Sequence, residues 1–225
     1  GALWPLVGRV TLVGPFEALA PGVRLLDVPG LHDENKARND VMRQVVKEAH
    51  SLLIVSNIRR ACNDKGAKDL QPLALRRALL HGGFVGDLAL VATQSDIFTA
   101  SELKDNLKLA DDATPLECAQ ARNAFTKNSL TADWFRELDA SAMPINRPPT
   151  TSWQDTGFLL PTFCVSAMDY QKGAGLRTLD GPPLVFDSPA ATEVPSLLAF
   201  LKLCASAHHR RASAPAGQST APTTA

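Results

Sequence analysis

The sequence predicts an α/β fold built on a mostly parallel sheet with helices on both faces. Two observations carry that expectation. Residues 51–58 (SLLIVSNI), 86–96 (GDLALVATQSD) and 162–167 (TFCVSA) hold apolar runs of strand length with little polar alternation, as strands buried on both faces require. Segments of helix length and amphipathic pattern separate them, and strand–helix alternation is the signature of parallel strands joined by crossovers.

Taken in order, 9–13 (RVTLV) and 23–28 (VRLLDV) read as two strands joined by a Pro/Gly-rich turn. Between 36 and 50, Val41, Met42, Val45, Val46 and Ala49 recur at helical spacing. The strand at 51–58 follows, then a helix between 64 and 80 that starts or kinks near Pro72. After the strand at 86–96, residues 112–128 and 131–138 are expected as two helices inside an irregular stretch of about 100–160, whose later part is proline-rich loop. The strand at 162–167 and a last helix from Val194 to about Ala205 complete the domain, assigned to 1–207. The Ala/Ser/Pro/Thr-rich segment 208–225 lacks apolar periodicity and is expected to be a disordered tail.

Composition narrows the function classes. The chain has 225 residues, 45% of them hydrophobic, and a formal net charge of +0. One domain of this length can bury most of its apolar surface. No basic excess indicates nucleic acid or an anionic membrane surface, and no run approaches the ~20 apolar residues of a membrane-spanning helix. Cys62, Cys118, Cys164 and Cys204 have no zinc-ligand spacing and read as free thiols of an intracellular protein, cytoplasmic or nuclear, with Cys164 in the core. The chain begins at Gly1 without an initiator methionine, which raises the expectation of a fragment or processed product.

In open parallel sheets, ligands bind beyond the carboxyl ends of the strands, and three strand ends carry distinctive residues. The first is Asp27-Val28-Pro29-Gly30. A carboxylate leaving a buried strand needs water or a cation; Mg²⁺ holding waters and phosphate oxygens would serve, and Gly30 would let a bare N–H approach a phosphate. The same residues also suit a plain surface turn. The second is Thr93-Gln94-Ser95-Asp96. Asp96 could accept two hydrogen bonds from the N1–H and exocyclic amine of guanine, a pair adenine cannot donate, or it could cap the next helix. The third is Ser166-Ala167, a small turn whose backbone N–H groups could meet a purine carbonyl, or an ordinary strand exit.

In this order, DxPG, then [NT]-x-x-D, then Ser-Ala, the three motifs resemble the later half of a P-loop GTPase domain. They are most similar to the dynamin superfamily, particularly nuclear-type dynamin-like GTPases and their fungal relatives. The flanks WPLVGRVTLVGPF, LLDVPGLHDENKARND, SLLIVSNIRRACND and TEVPSLLAFLK extend the resemblance from about Trp4 to Leu203, with a poor match over 100–160. It implies an incomplete P-loop NTPase fold that binds GTP or GDP with Mg²⁺. Asp27 would order the Mg²⁺ shell through water, and Gly30 would contact the γ-phosphate. Residues 31–39 would be switch II, a loop ordered by that phosphate. Thr93, Gln94 and Asp96 would read guanine, with Ser166 and Ala167 supporting the base. Self-association through the GTPase domain is the partner mode the family suggests. A low-complexity tail stands where the family usually has a helical stalk, so stalk-driven assembly and membrane remodelling are not implied.

Two departures bear on activity. Gln94 replaces the family's usual lysine, whose stem packs on the base, so affinity should be weaker. No G-x-x-x-x-G-K-[ST] occurs in the 225 residues, nor does the threonine-bearing switch I that should precede Asp27. Phosphoryl transfer depends on the positioning and charge those elements supply, so this chain alone is expected to hydrolyse GTP poorly or not at all unless an upstream P-loop completes it. The competing expectations are a degenerate GTPase-like interaction module and an incomplete gene product. Arg59, Arg60, His32 and the basic cluster 208–211 read more simply as exposed side chains than as site residues, and no G-x-S-x-G nucleophile elbow is present.

Overall fold

The computed structural model describes residues 10–20, 22–28, 48–63, 88–140 and 160–213. Its centre is a three-stranded parallel sheet, β1 (Leu52–Asn57), β2 (Leu88–Thr93) and β3 (Thr162–Val165), in the spatial order β1-β2-β3. Among the described residues four α-helices accompany it: α1 (Ala100–Leu107), α2 (Pro115–Ala140), α3 (Ala167–Gly173) and α4 (Val194–Ser213). The three strands fall where unbroken apolar runs predict them. In β2, Leu88 through Ala92 are all buried, because this strand has a neighbour on each edge and cover on each face.

Alternation along the strands sorts the two layers. Leu90, Ala92 and Cys164 face α2, forming a core with Ile54, Ile58, Leu88, Leu130, Trp134, Phe135 and Leu160. The Cys164 thiol lies 3.7 Å from the Asn123 carbonyl of α2. The adjacent residue, Phe163, points to the opposite face and meets Phe200 of α4 with ring centroids 5.6 Å apart. Helices therefore lie on both faces of the sheet, with the α4 side of β1 left open at Val55, which is 58% exposed.

Glu193 fastens these layers at the β3 edge. One carboxylate oxygen accepts from the Cys164 backbone N–H at 3.0 Å, and the other meets Lys127 of α2 at 2.7 Å. An edge strand that gives a backbone donor to a side chain is a poorer template for pairing with another chain.

The helices differ from expectation in three ways. Two helices were expected over 112–128 and 131–138, but one continuous helix runs from Pro115 to Ala140. It starts with a reciprocal cap: Glu117 accepts from the Thr114 N–H and hydroxyl at 2.7 and 2.8 Å, and the Glu117 N–H donates to the Thr114 hydroxyl at 3.3 Å. T-P-L-E thus combines a capping box with proline at the first helical position. Helix α1 has no counterpart in the sequence reading. Helix α4 continues to Ser213, about two turns past the expected Ala205 and into the segment expected to be tail.

The strands expected at 9–13 and 23–28 are not formed where the structure describes them. Residues 10–13 and 22–28 are without regular structure, and Leu12, Val13, Leu25 and Leu26 are exposed. An apolar run supplies strand propensity, but ladder hydrogen bonds need a neighbouring strand. Among the described residues none lies beside either segment. The helices expected over 36–50 and 64–80 lie largely or wholly outside the described residues, as does the loop at 141–159.

Candidate functional site

The carboxyl ends of the three strands form one rim. Asn57 is the register partner of Thr93, and Thr93 that of Val165. Beyond the ladder, the Ile58 N–H donates to the Thr93 carbonyl at 2.9 Å, and the Ser95 N–H donates to the Val165 carbonyl at 3.2 Å. These bonds carry the strand register into the loops, so the segment 93–97 is held between the ends of β1 and β3.

Within that loop, the Thr93 hydroxyl donates to the Ser56 carbonyl at 3.3 Å. Gln94 takes a left-handed backbone conformation, φ 61°, which costs a residue with a Cβ about 1 kcal/mol or more. Its exposed side-chain oxygen accepts from the Asn57 amide, and the Asn57 oxygen in turn accepts from the Arg59 N–H at 2.9 Å. Gln94 is thus engaged along the rim with β1. Ser95 is fully buried.

Asp96 is 7% exposed, and among the described residues no donor lies within hydrogen-bond distance of its carboxylate. Such a group at the carboxyl edge of a parallel sheet is suited to accept from a ligand.

The Asp96 backbone is fixed from below by a residue that sequence reasoning missed. Arg122 of α2 donates to the Ser95 carbonyl at 2.6 Å and to the Ile97 carbonyl at 2.9 Å, and its guanidinium lies 5.0 Å from the centroid of the Phe98 ring. Burial pulls the Arg122 pKa below its ordinary value. The nearby Cys164 and Asp96 push it back up, and Arg59 pulls it further down. Guanidinium remains a cation throughout. The available signal was positional: Cys118, Arg122 and Thr126 fall at four-residue spacing on the buried stripe of α2.

Ser166 and Ala167 follow β3 directly. Ser166 is fully buried, its N–H donates to the Thr192 carbonyl at 3.2 Å, and its hydroxyl accepts from the Asp169 N–H at 3.1 Å as the N-cap of α3. The hydroxyl is therefore occupied in capping, while Ala167 is exposed at the rim. Asp169, a second residue the sequence reading passed over, is fully buried. Its carboxylate accepts from the Leu184, Val185 and Phe186 N–H groups at 2.7, 2.9 and 3.0 Å. It folds the 184–186 segment back onto α3.

Asp27 is the remaining carboxylate singled out by the sequence. It is exposed in the coil of 22–28, and among the described residues no hydrogen bond or ion pair links it to the rim. Gly30 lies outside the described residues. Thr93, Gln94, Asp96, Ser166 and Ala167 are brought together.

None of the four cysteines forms a disulfide. Burial pushes the Cys164 thiol up to about 12, with the Glu193 charge adding to the effect, so it stays protonated and serves packing rather than chemistry. Among the described residues no group of three His, Cys, Asp or Glu could hold a metal ion, and no helix is long and apolar enough to cross a membrane.

Two curated proteins are similar in sequence, both described as nuclear GTPase SLIP-GC. The mouse protein is 30% identical over 128 residues, covering 56% of this chain and 16% of its own length. The human protein is 27% identical over 167 residues, covering 68% of this chain and 21% of its own length. The chain thus spans about a fifth or less of the relatives it matches, and it is related in sequence to a GTPase. No family model and no solved structure matches it.

Proposed function

We propose that this chain forms the base-recognising part of a dynamin-like, guanine-nucleotide-binding domain. The single observation that carries the reading is Asp96: a residue 7% exposed, its carboxylate without a protein donor among the described residues, on a loop tied to the ends of two neighbouring strands. Such an acceptor is suited to the paired N1–H and amine donors of guanine, and a site built for that pair disfavours bases lacking it. Thr93 would stabilise the loop, and the Ser166–Ala167 turn would flank the base. The sequence relation to a nuclear GTPase supports the same reading.

The phosphate side is not supplied by the described residues. Mg²⁺ would accompany the nucleotide's phosphates, but one carboxylate on exposed coil does not make a site for it. Asp27 and Gly30 remain candidates there on sequence grounds alone. With no G-x-x-x-x-G-K-[ST] in the 225 residues, these residues by themselves recognise the base and do not hydrolyse GTP.

A second reading, an interaction module that has lost nucleotide binding, is favoured by one observation. Gln94 stands where a lysine stem would pack on the base, and its side chain is engaged with Asn57 instead. Calorimetric titration of the 225-residue chain with GTP, GDP and ATP in the presence of Mg²⁺ separates the two. Guanine-selective binding supports the first reading; equal or undetectable heats for all three support the second. Nuclear or cytoplasmic location and self-association of the domain belong with this proposal.

A further inference from the structure

We infer that Arg122 is a specificity-determining positioning residue: by clamping the carbonyls on either side of Asp96, it sets the direction in which that carboxylate meets the base. The inference rests on the guanine-binding reading and adds to it a residue from outside the three strand-end motifs.

The geometry is that of a fork. One terminal nitrogen of the guanidinium holds the Ser95 carbonyl at 2.6 Å, and the other holds the Ile97 carbonyl at 2.9 Å. The Ser95 carbonyl belongs to the peptide plane entering Asp96 and the Ile97 carbonyl to the plane leaving Ile97, while the plane between Asp96 and Ile97 is held by the Ile97 N–H, which donates to the Gln94 carbonyl at 3.1 Å. Gln94, immediately before, is in the left-handed region, and a turn with that conformation needs support to persist. Phe98 lies under the guanidinium plane, 5.0 Å from centroid to carbon. Arg122 itself is 9% exposed and comes from α2, the helix that also packs on the sheet core, so the clamp is anchored to the most buried part of the molecule. Reading two donors on one base edge requires a carboxylate fixed in both position and rotation. A fork bonded to both flanking carbonyls fixes the direction in which the Asp96 side chain leaves the backbone, whereas a single ammonium is a point charge without that planar geometry.

Inosine diphosphate is the informative probe. It keeps the N1–H of guanine but lacks the exocyclic amine, so the ratio of GDP to inosine diphosphate affinity reports whether both oxygens of Asp96 are aligned. In the unaltered chain that ratio should be about tenfold or more, the value of one hydrogen bond to a charged group. In Arg122→Lys it should fall to about threefold or less, with GDP affinity falling toward that of inosine diphosphate. Lys127→Gln, on the same helix, breaks the ion pair with Glu193 and controls for general loosening of α2; it should leave the ratio unchanged. If Arg122→Lys does not fold, Arg122→Gln, which keeps one amide donor, is read in the same way. An Arg122 variant that retains the full ratio, or a Lys127→Gln chain that loses it equally, overturns the inference while leaving guanine binding intact. A wild-type chain that binds neither nucleotide overturns both the inference and the reading beneath it.

Discussion

Asp96 and Asp27 are both carboxylates at the ends of apolar runs, but their surroundings have little in common. The loop of Asp96 is bonded to the ends of β1 and β3 and clamped by Arg122. The coil of Asp27 leaves Leu25 and Leu26 at 56% and 53% exposure. A short motif specifies which atoms are available; direction comes from the ladder and helices beneath it. The Thr93–Asp96 and Ser166–Ala167 motifs have that support among the described residues, and for Asp27 no such bond is found there.

Substitutions test this contrast, beginning where the largest effect is expected. Trp134 is 1% exposed in the core between α2 and the sheet, so Trp134→Ala should cost about 3–5 kcal/mol in urea unfolding. Its indole N–H has no acceptor among the described residues, so Trp134→Phe, which removes that buried donor, should cost much less. Next is Asp169→Ala, which leaves three backbone N–H groups at 184–186 without their carboxylate. It should cost about 3 kcal/mol and expose the 184–186 amides to hydrogen exchange.

A smaller effect is expected at the α2 cap. The Thr114 N–H and hydroxyl, donating to Glu117, hold its carboxyl below the ordinary glutamate range. A depressed folded-state pKa means the contribution is present above the unfolded value and is lost as pH falls through the folded one. Thermal stability should therefore decline on acidification through and below the ordinary glutamate range, and Glu117→Gln should flatten part of that decline. The smallest effect belongs to the coil: Leu25→Ser should change stability by no more than about 0.5 kcal/mol. A larger loss would mean that 22–28 packs against something, and the contrast between the two aspartates would weaken.

The same contrast explains how much was legible in sequence. The three sheet strands were readable as unbroken apolar runs; in Leu88–Thr93 that run reflects burial on both faces, whereas β1 leaves Val55 58% exposed. The two N-terminal runs have equal propensity, but a strand is a relation between two chain segments and propensity describes only one. Helix α2 was read as two pieces because its buried stripe includes Arg122, Asn123 and Thr126, which blur an apolar period, and Asn128, Ser129 and Thr131 have low helix propensity. Packing of Leu130, Trp134 and Phe135 carries the helix through that stretch. At the site, Thr93, Gln94, Asp96, Ser166 and Ala167 were visible as motifs. Arg122 and Asp169 were not, since their roles depend on backbone groups 25–27 and 15–17 residues away in the chain.

The most direct test of the account is calorimetric titration of the chain and its Asp96→Ala variant with GDP and ADP. The account predicts that the unaltered chain binds GDP in clear preference to ADP and that the variant loses this preference while its melting temperature stays close to wild type. Equal binding of GDP and ADP by the unaltered chain, or an undiminished preference in Asp96→Ala, would contradict it.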